Sequence, residues 1–165
     1  MLVAQRTALD TLDRIAVATN EYLQLGDPAP SIGFRDFWFE RTDKGRWRGE
    51  VSAEVERGNW GLVALLEIAS DLRAEGLLTH LQEARRAGTH RFIVLHTWGS
   101  AAESPSVWHS SRTDFERVVL DTLSVVRASL HHFVEMVAIR ESRLGRGVST
   151  IPMKAPSHRW IRRKR

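Results

Sequence analysis

The chain has 165 residues, 42% of them hydrophobic and 27% charged, enough for one domain with a real core and ordinary for a globular protein. It has no cysteine, which excludes disulfides and thiolate zinc sites. No apolar run approaches the roughly 18 residues of a membrane span. The first twenty residues carry Arg6, Asp10, Asp13 and Arg14 and lack the order of a signal peptide, so a cytoplasmic protein without membrane association is expected. The net charge of +4 hides an asymmetry: Arg140 to Arg165 holds nine basic residues against one acid, Glu141, and the preceding residues are mildly acidic. A strongly basic terminus attracts polyanions through counterion release, or simply keeps a terminus soluble.

In chain order, Val3 to Leu25 reads as an amphipathic helix, with Ala8, Leu12, Ile15, Thr19 and Leu23 at helical spacing and Gly26-Asp27-Pro28 as its stop. The aromatic run Phe34, Phe37, Trp38 and Phe39 has no helical period; it reads as a plug over the core rather than a base-stacking platform. Thr42-Asp43-Lys44-Gly45 signals a turn. Residues 50–74 carry a second helical pattern, with Asn59 placed to cap a distinct helix from Trp60 and a stripe of Leu62, Leu65, Leu66, Ala69 and Leu72, ended by Gly76. Thr79 to Gln82 has capping-box spacing, so a further helix starts near His80. Ile93 to Leu95 fits either its continuation or a short strand.

Gly99 to Ser110 reads as a polar loop. Thr113-Asp114-Phe115-Glu116 reads as a second capping box opening the longest helix, about Asp114 to Ser142, with Phe115, Val119, Leu123, Val126, Leu130, Phe133, Val137 and Ile139 as its apolar stripe. Gly145 and Gly147 end it. The fold expected is all-α, an up-and-down bundle of four to five helices over residues 1–145, followed by a basic tail over 146–165.

The segment Arg85-Arg86-Ala87-Gly88-Thr89-His90 carries the most chemistry. Histidine moves protons near neutral pH, and the arginine fork matches a phosphate. Together they form a minimal kit for metal-free RNA cleavage, with a base for the 2′-hydroxyl and a cation for the charged phosphorane. Residues five apart on a helix point about 140° apart, so Arg85 and His90 would flank a groove rather than stack. The same spacing also fits a solvated arginine and an ordinary helix histidine. A second match, Arg127 to His132, lies inside the longest helix, where His131 or His132 could simply hydrogen-bond across the bundle. Among seven histidines there is no His-Glu-x-x-His pair, and no phosphate loop, serine elbow or dinucleotide fingerprint is present; no metal or other cofactor is expected.

The stretch Leu81 to Phe92, with Arg85, His90 and the following Arg91-Phe92, resembles the signature of the HEPN superfamily (higher eukaryotes and prokaryotes nucleotide-binding domains): an arginine, a small polar residue, then a histidine four to six positions on. The likeness spans roughly Phe34 to Glu141 and includes the last helix with Arg127. It implies a helical bundle that pairs into a homodimer, with the motifs of two protomers in a shared cleft. Many members are metal-independent endoribonucleases of toxin–antitoxin, abortive-infection or antiviral defence systems.

Carried onto this chain, the resemblance makes Arg85 the phosphate-binding arginine and His90 the catalytic histidine. Arg86 stands where the family has a small polar residue. It would then be a substrate-binding cation together with Arg91, Arg162 and Arg163, with Trp160 as a stacking surface. The expected partners are RNA, a second copy, and an antitoxin or other defence-system protein. The alternative expectation is a non-catalytic dimerisation, nucleic-acid or partner-binding module of the same fold.

Overall fold

The computed structural model describes residues 2–43, 45–73, 75–90, 92–97 and 106–145. Within them lie five helices, α1 (Leu2–Leu23), α2 (Gly49–Glu56), α3 (Trp60–Asp71), α4 (Thr79–His90) and α5 (Arg112–Arg143), a 3-10 turn at Ala29–Ser31, and two strands, β1 (Phe92–His96) and β2 (Val107–Ser111). The architecture is the expected all-α bundle. α5 is its spine and packs on α3 and α1. Among the described residues no helix is long and apolar enough to cross a membrane.

The core is built from the predicted stripes. Leu9, Leu12 and Ile15 of α1 and Leu62, Leu65, Leu66 and Ala69 of α3 are buried, joined by Leu72 and by Leu81 of α4. The aromatic run is the plug its sequence suggested. Phe34, Phe37, Trp38 and Phe39 are all buried, with Phe34 and Phe37 edge-on to the Trp38 ring. The turn at Asp43 forms as read: Gly45 N donates to Asp43 Oδ1 at 2.9 Å, which sets Phe39 beside Trp47 in a single antiparallel bridge.

α3 and α5 meet at close quarters. A Cβ on Gly61 would lie 2.4 Å from the backbone nitrogen of Met136 and 2.6 Å from the carbonyl oxygen of His132, so only glycine admits that approach. Asn59 does two things at the same junction. Its side-chain oxygen accepts from Leu62 N at 3.3 Å, capping α3 as predicted, and its Nδ2 donates to Met136 O at 3.1 Å.

Charged groups fasten the ends. Arg48 and Arg41 reach Asp27 at 2.6 and 3.0 Å, while Asn20 exchanges hydrogen bonds with the Asp27 backbone. The Arg48 hydrogen bond, helped by the charges of Arg48 and Arg41, holds the Asp27 carboxyl below its usual range. Tyr22 donates to Glu141 at 2.7 Å, and burial together with that carboxylate raises its hydroxyl to about 12. Buried Glu54 lies 2.9 Å from Arg57 and just under 4 Å from Arg140 and Arg143. Two of the basic residues of the C-terminal stretch are thus committed to holding α2.

Four expectations need correction. First, residues 107–111 form a strand rather than loop. β2 pairs in parallel with β1 from Phe92↔Val107 to His96↔Ser111, so Ile93 to Leu95 is strand as well. Alternating Val107, His109 and Ser111 gave too short an apolar signal to read. Second, the cap of α5 is Ser111, whose Oγ accepts from Asp114 N at 3.0 Å, two residues before the expected cap at Thr113. Third, the hydroxyl of Thr79, the first residue of α4, donates back to the carbonyls of Arg73 and Gly76; it is tied to the preceding loop and does not cap the helix.

Fourth, Leu123 and Leu130 are exposed, and Thr122 and Ser129 take their places inside α5. Each of those hydroxyls donates to a carbonyl one turn back, Val118 O and Val125 O. A self-satisfied hydroxyl is cheap to bury. At these two positions the buried seam is shifted by one residue from the expected stripe, while Phe115, Val119 and Val126 are buried as expected.

Candidate functional site

A cleft of about 440 Å³ opens between α1, the loop at Gly33–Asp36 and α4. Helical periodicity builds two of its walls. Arg6, Asp10 and Asp13 are spaced four and three apart and so share one face of α1, and Gln82, Arg85 and Arg86 do the same on α4. Phe34 and Leu72 floor it.

Arg85 is the centre of the cleft. Its Nη2 donates to Asp13 Oδ2 at 2.7 Å and lies 3.6 Å from Asp10 Oδ1. Asp13 is itself anchored, because its other oxygen accepts from Phe34 N at 2.9 Å. The chain Phe34–Asp13–Arg85 thus aims a guanidinium from α4 across the cleft, with about a third of the arginine side chain still open to solvent. Arg35 reaches Asp36 at 2.7 Å on the loop side.

Four arginines against three aspartates leave the lining positive by one charge. Arg6 and Arg86 are exposed at the rim. Such a lining is suited to an anion of phosphate type: two rim cations attract it, and Arg85 offers a fork held at a fixed angle.

Of the predicted site residues, Arg85 and Arg86 are brought into the same cleft. His90 closes α4, but its side chain lies outside the described residues, as do Arg91, Arg162, Arg163 and Trp160. The second arginine–histidine match behaves differently from expectation. His132 contacts Glu135 on its own helix at 3.3 Å rather than a group across the bundle, and Arg127 and His131 face outward. Among the described residues no three metal-ligating side chains gather.

Sequence reasoning missed Asp10, Asp13 and Arg6 as partners of the α4 arginines. The cue was available in their spacing, which places all three on one face of α1 beside its buried stripe. What was not available was that α4 packs against that face.

The family model for LA2681-like HEPN domains matches residues 1–140. No curated protein and no solved structure matches the chain. A bundle of five helices with its arginine-lined cleft on the motif helix, matched over most of its length, places the chain in the LA2681-like HEPN family.

Proposed function

We propose that the protein is a metal-independent endoribonuclease of the toxin or defence type, working through Arg85 and His90. The single observation that carries this reading is the guanidinium of Arg85, held by anchored Asp13 at the centre of a net-positive cleft on the motif helix.

In this reading Arg85 binds the scissile phosphate and stabilises the charge that develops on it, the electrostatic effect that usually contributes most. His90 takes the proton from the 2′-hydroxyl or gives one to the departing oxygen. The 2′-oxygen bonds to phosphorus, the bond to the 5′-oxygen breaks, and the products are a 2′,3′-cyclic phosphate and a 5′-hydroxyl. Arg86 adds a rim contact to the backbone. Arg91, Arg162 and Arg163 gather RNA by charge, residues 146–165 serving as a basic tail after the domain. A second copy contributes its own motif, and an antitoxin or other defence protein restrains the activity.

One observation favours the alternative, a non-catalytic binding module. Arg85 is already engaged by Asp13 and Asp10, and Arg86 replaces the small polar residue of the motif. An arginine fully committed to carboxylates is an architectural group and not a phosphate receptor.

The deciding experiment is incubation of end-labelled single-stranded RNA with purified protein in EDTA, with analysis of the product ends. Cyclic phosphate ends support the nuclease. RNA bound in a salt-sensitive way and left intact supports the binding module.

A further inference from the structure

The Arg85 cleft continues past Arg86. A second cavity, about 220 Å³, adjoins it, and Arg35, Leu72, Gln82 and Arg86 line both, so the two form one groove along α4. The walls that belong to the second cavity alone are Arg73, Thr79 and Glu83. Gln82 and Glu83 each lie three or four residues from Thr79 and from Arg86, so these four side chains share one flank of α4.

The wall opposite α4 is fixed. Arg73 follows the end of α3; its N–H donates to Ser70 O at 3.0 Å, and its carbonyl accepts from Gly76 N at 3.0 Å and from Thr79 Oγ1 at 2.8 Å. Its guanidinium carbon sits 4.3 Å from the centre of the Phe39 ring, and Phe39 is buried in the aromatic plug. A guanidinium backed by a ring is held in place, and RNA bases stack on such planes.

The α4 wall supplies polar edges. Gln82 is half-buried, and Glu83 and Arg86 are exposed. Among the described residues none of the three has a side-chain hydrogen bond or ion pair. Glu83 thus keeps both acceptor oxygens available in a cavity that three arginines also line. A carboxylate at this point repels a second phosphate. A stacking plane, an amide and a free carboxylate instead suit a flat, neutral group that carries donors.

We propose that the second cavity is a base subsite for guanine: with the phosphate of a nucleotide at Arg85, the base lies on Arg73 and turns its donor edge to Glu83. Guanine alone among the four RNA bases has two adjacent donors, N1–H and N2–H, to match the two oxygens of a carboxylate. Uracil, cytosine and adenine each turn a lone pair towards one of those oxygens. The Gln82 amide donates to the guanine O6, and Arg86, shared by both cavities, stays with the phosphate. This subsite rests on the phosphate reading of the Arg85 cleft and names the base beside that phosphate. The guanine nucleotide belongs either to an RNA strand or to the free nucleotide pool.

The test is isothermal titration calorimetry of the full chain with the four nucleoside 3′,5′-bisphosphates. These carry the same charge, differ only in the base, offer a phosphate on either side of it and contain no phosphodiester to cleave. The guanosine compound is expected to bind about tenfold or more tightly than the uridine compound. Glu83→Gln is expected to remove that preference, with an unchanged unfolding midpoint because the position is exposed. Arg73→Lys keeps the charge and loses the plane, and is expected to weaken all four about threefold or more. Arg85→Ala is expected to weaken all four and keep the preference for guanine.

Equal affinity for the four bases, or binding of none, overturns the proposal. A guanine preference that survives Glu83→Gln overturns its placement in this cavity, and an Arg73→Lys variant that binds like wild type overturns the stacking. Competition by 2′-O-methyl RNA, which has no hydroxyl to attack, separates the two sources. A strand with one guanine that displaces the guanosine compound about tenfold better than an all-uridine strand of equal length places the base in RNA; equal displacement makes the ligand a free guanine nucleotide. RNA cleavage is scored separately: a base preference without cleavage removes the nuclease reading and keeps the subsite, and cleavage without a base preference does the reverse.

Discussion

The junction of α3 with α5 and the cleft of α1 with α4 are built from opposite materials. At the first, Gly61 lets two backbones touch, and Asn59 satisfies a cap and a carbonyl at once. Every polar group named there has a fixed partner and no room is left. At the second, arginines and aspartates face each other across open space, and Arg85 keeps solvent access while held at 2.7 Å by Asp13. The first arrangement spends its residues on stability. The second leaves charge available to a ligand, and the comparison predicts that substitutions in the two places fail in different ways.

The largest effect on folding is expected at the junction. Gly61→Ala gains about 1 kcal/mol of helix propensity but presses a Cβ onto Met136 and His132 backbone, an overpacking that costs about 3 kcal/mol. Urea denaturation should show a net loss of about 2 kcal/mol. Asn59→Ala removes the cap and the donor to Met136, and should cost about 1.5 kcal/mol in the same assay. Unchanged midpoints for both would erase the contrast between the two regions.

A smaller and differently directed effect is expected in the cleft. The Arg85–Asp13 pair is partly exposed, so it contributes about 1 kcal/mol or less to stability. Asp13→Asn should leave the urea midpoint nearly unchanged and, by removing a competing anion, tighten RNA binding about fivefold. Cleavage should nevertheless fall, because the arginine is no longer aimed. Filter binding and cleavage on one preparation separate the two effects.

The smallest effects are those of pH on the fastenings of the bundle. The Asp27 carboxyl titrates lower in the folded chain than its ordinary value of 3.8. Its stabilisation is present above that value and is lost as pH falls through the folded one. Tyr22 titrates near 12 rather than 10.0, so its contribution is present below 10 and disappears as pH rises towards about 12. Thermal midpoints followed across pH should lose the acid slope in Asp27→Asn and the alkaline slope in Tyr22→Phe.

The packed region was largely legible in the sequence and the open one was not. The stripe from Leu62 to Leu72 and the Asn59 cap follow from spacing and capping chemistry within one segment, and both are where they were expected. In α5 the same reasoning chose Leu123 and Leu130 for the core. Apolar periodicity could not distinguish two seams one residue apart, and the buried one contains Thr122 and Ser129, whose hydroxyls bond to their own helix.

In the cleft, Arg85 and Arg86 could be named from the motif. Asp13 could not, because its tie to Arg85 joins residues 72 positions apart, and nothing local to α1 says which helix will face it. The strand at 107–111 escaped for the same reason: its pairing partner β1 lies elsewhere in the chain.

The central claim is that Arg85 acts on RNA and is not merely part of the frame. The most direct measurement is the single-turnover cleavage rate of end-labelled RNA in EDTA for wild type, Arg85→Ala and His90→Ala, with each variant's urea midpoint recorded beside it. The account predicts cleavage by the wild type, loss of about a hundredfold or more in both variants, and midpoints within about 1 kcal/mol of wild type. Cleavage that survives both substitutions, or that vanishes only because the variants unfold, would contradict it.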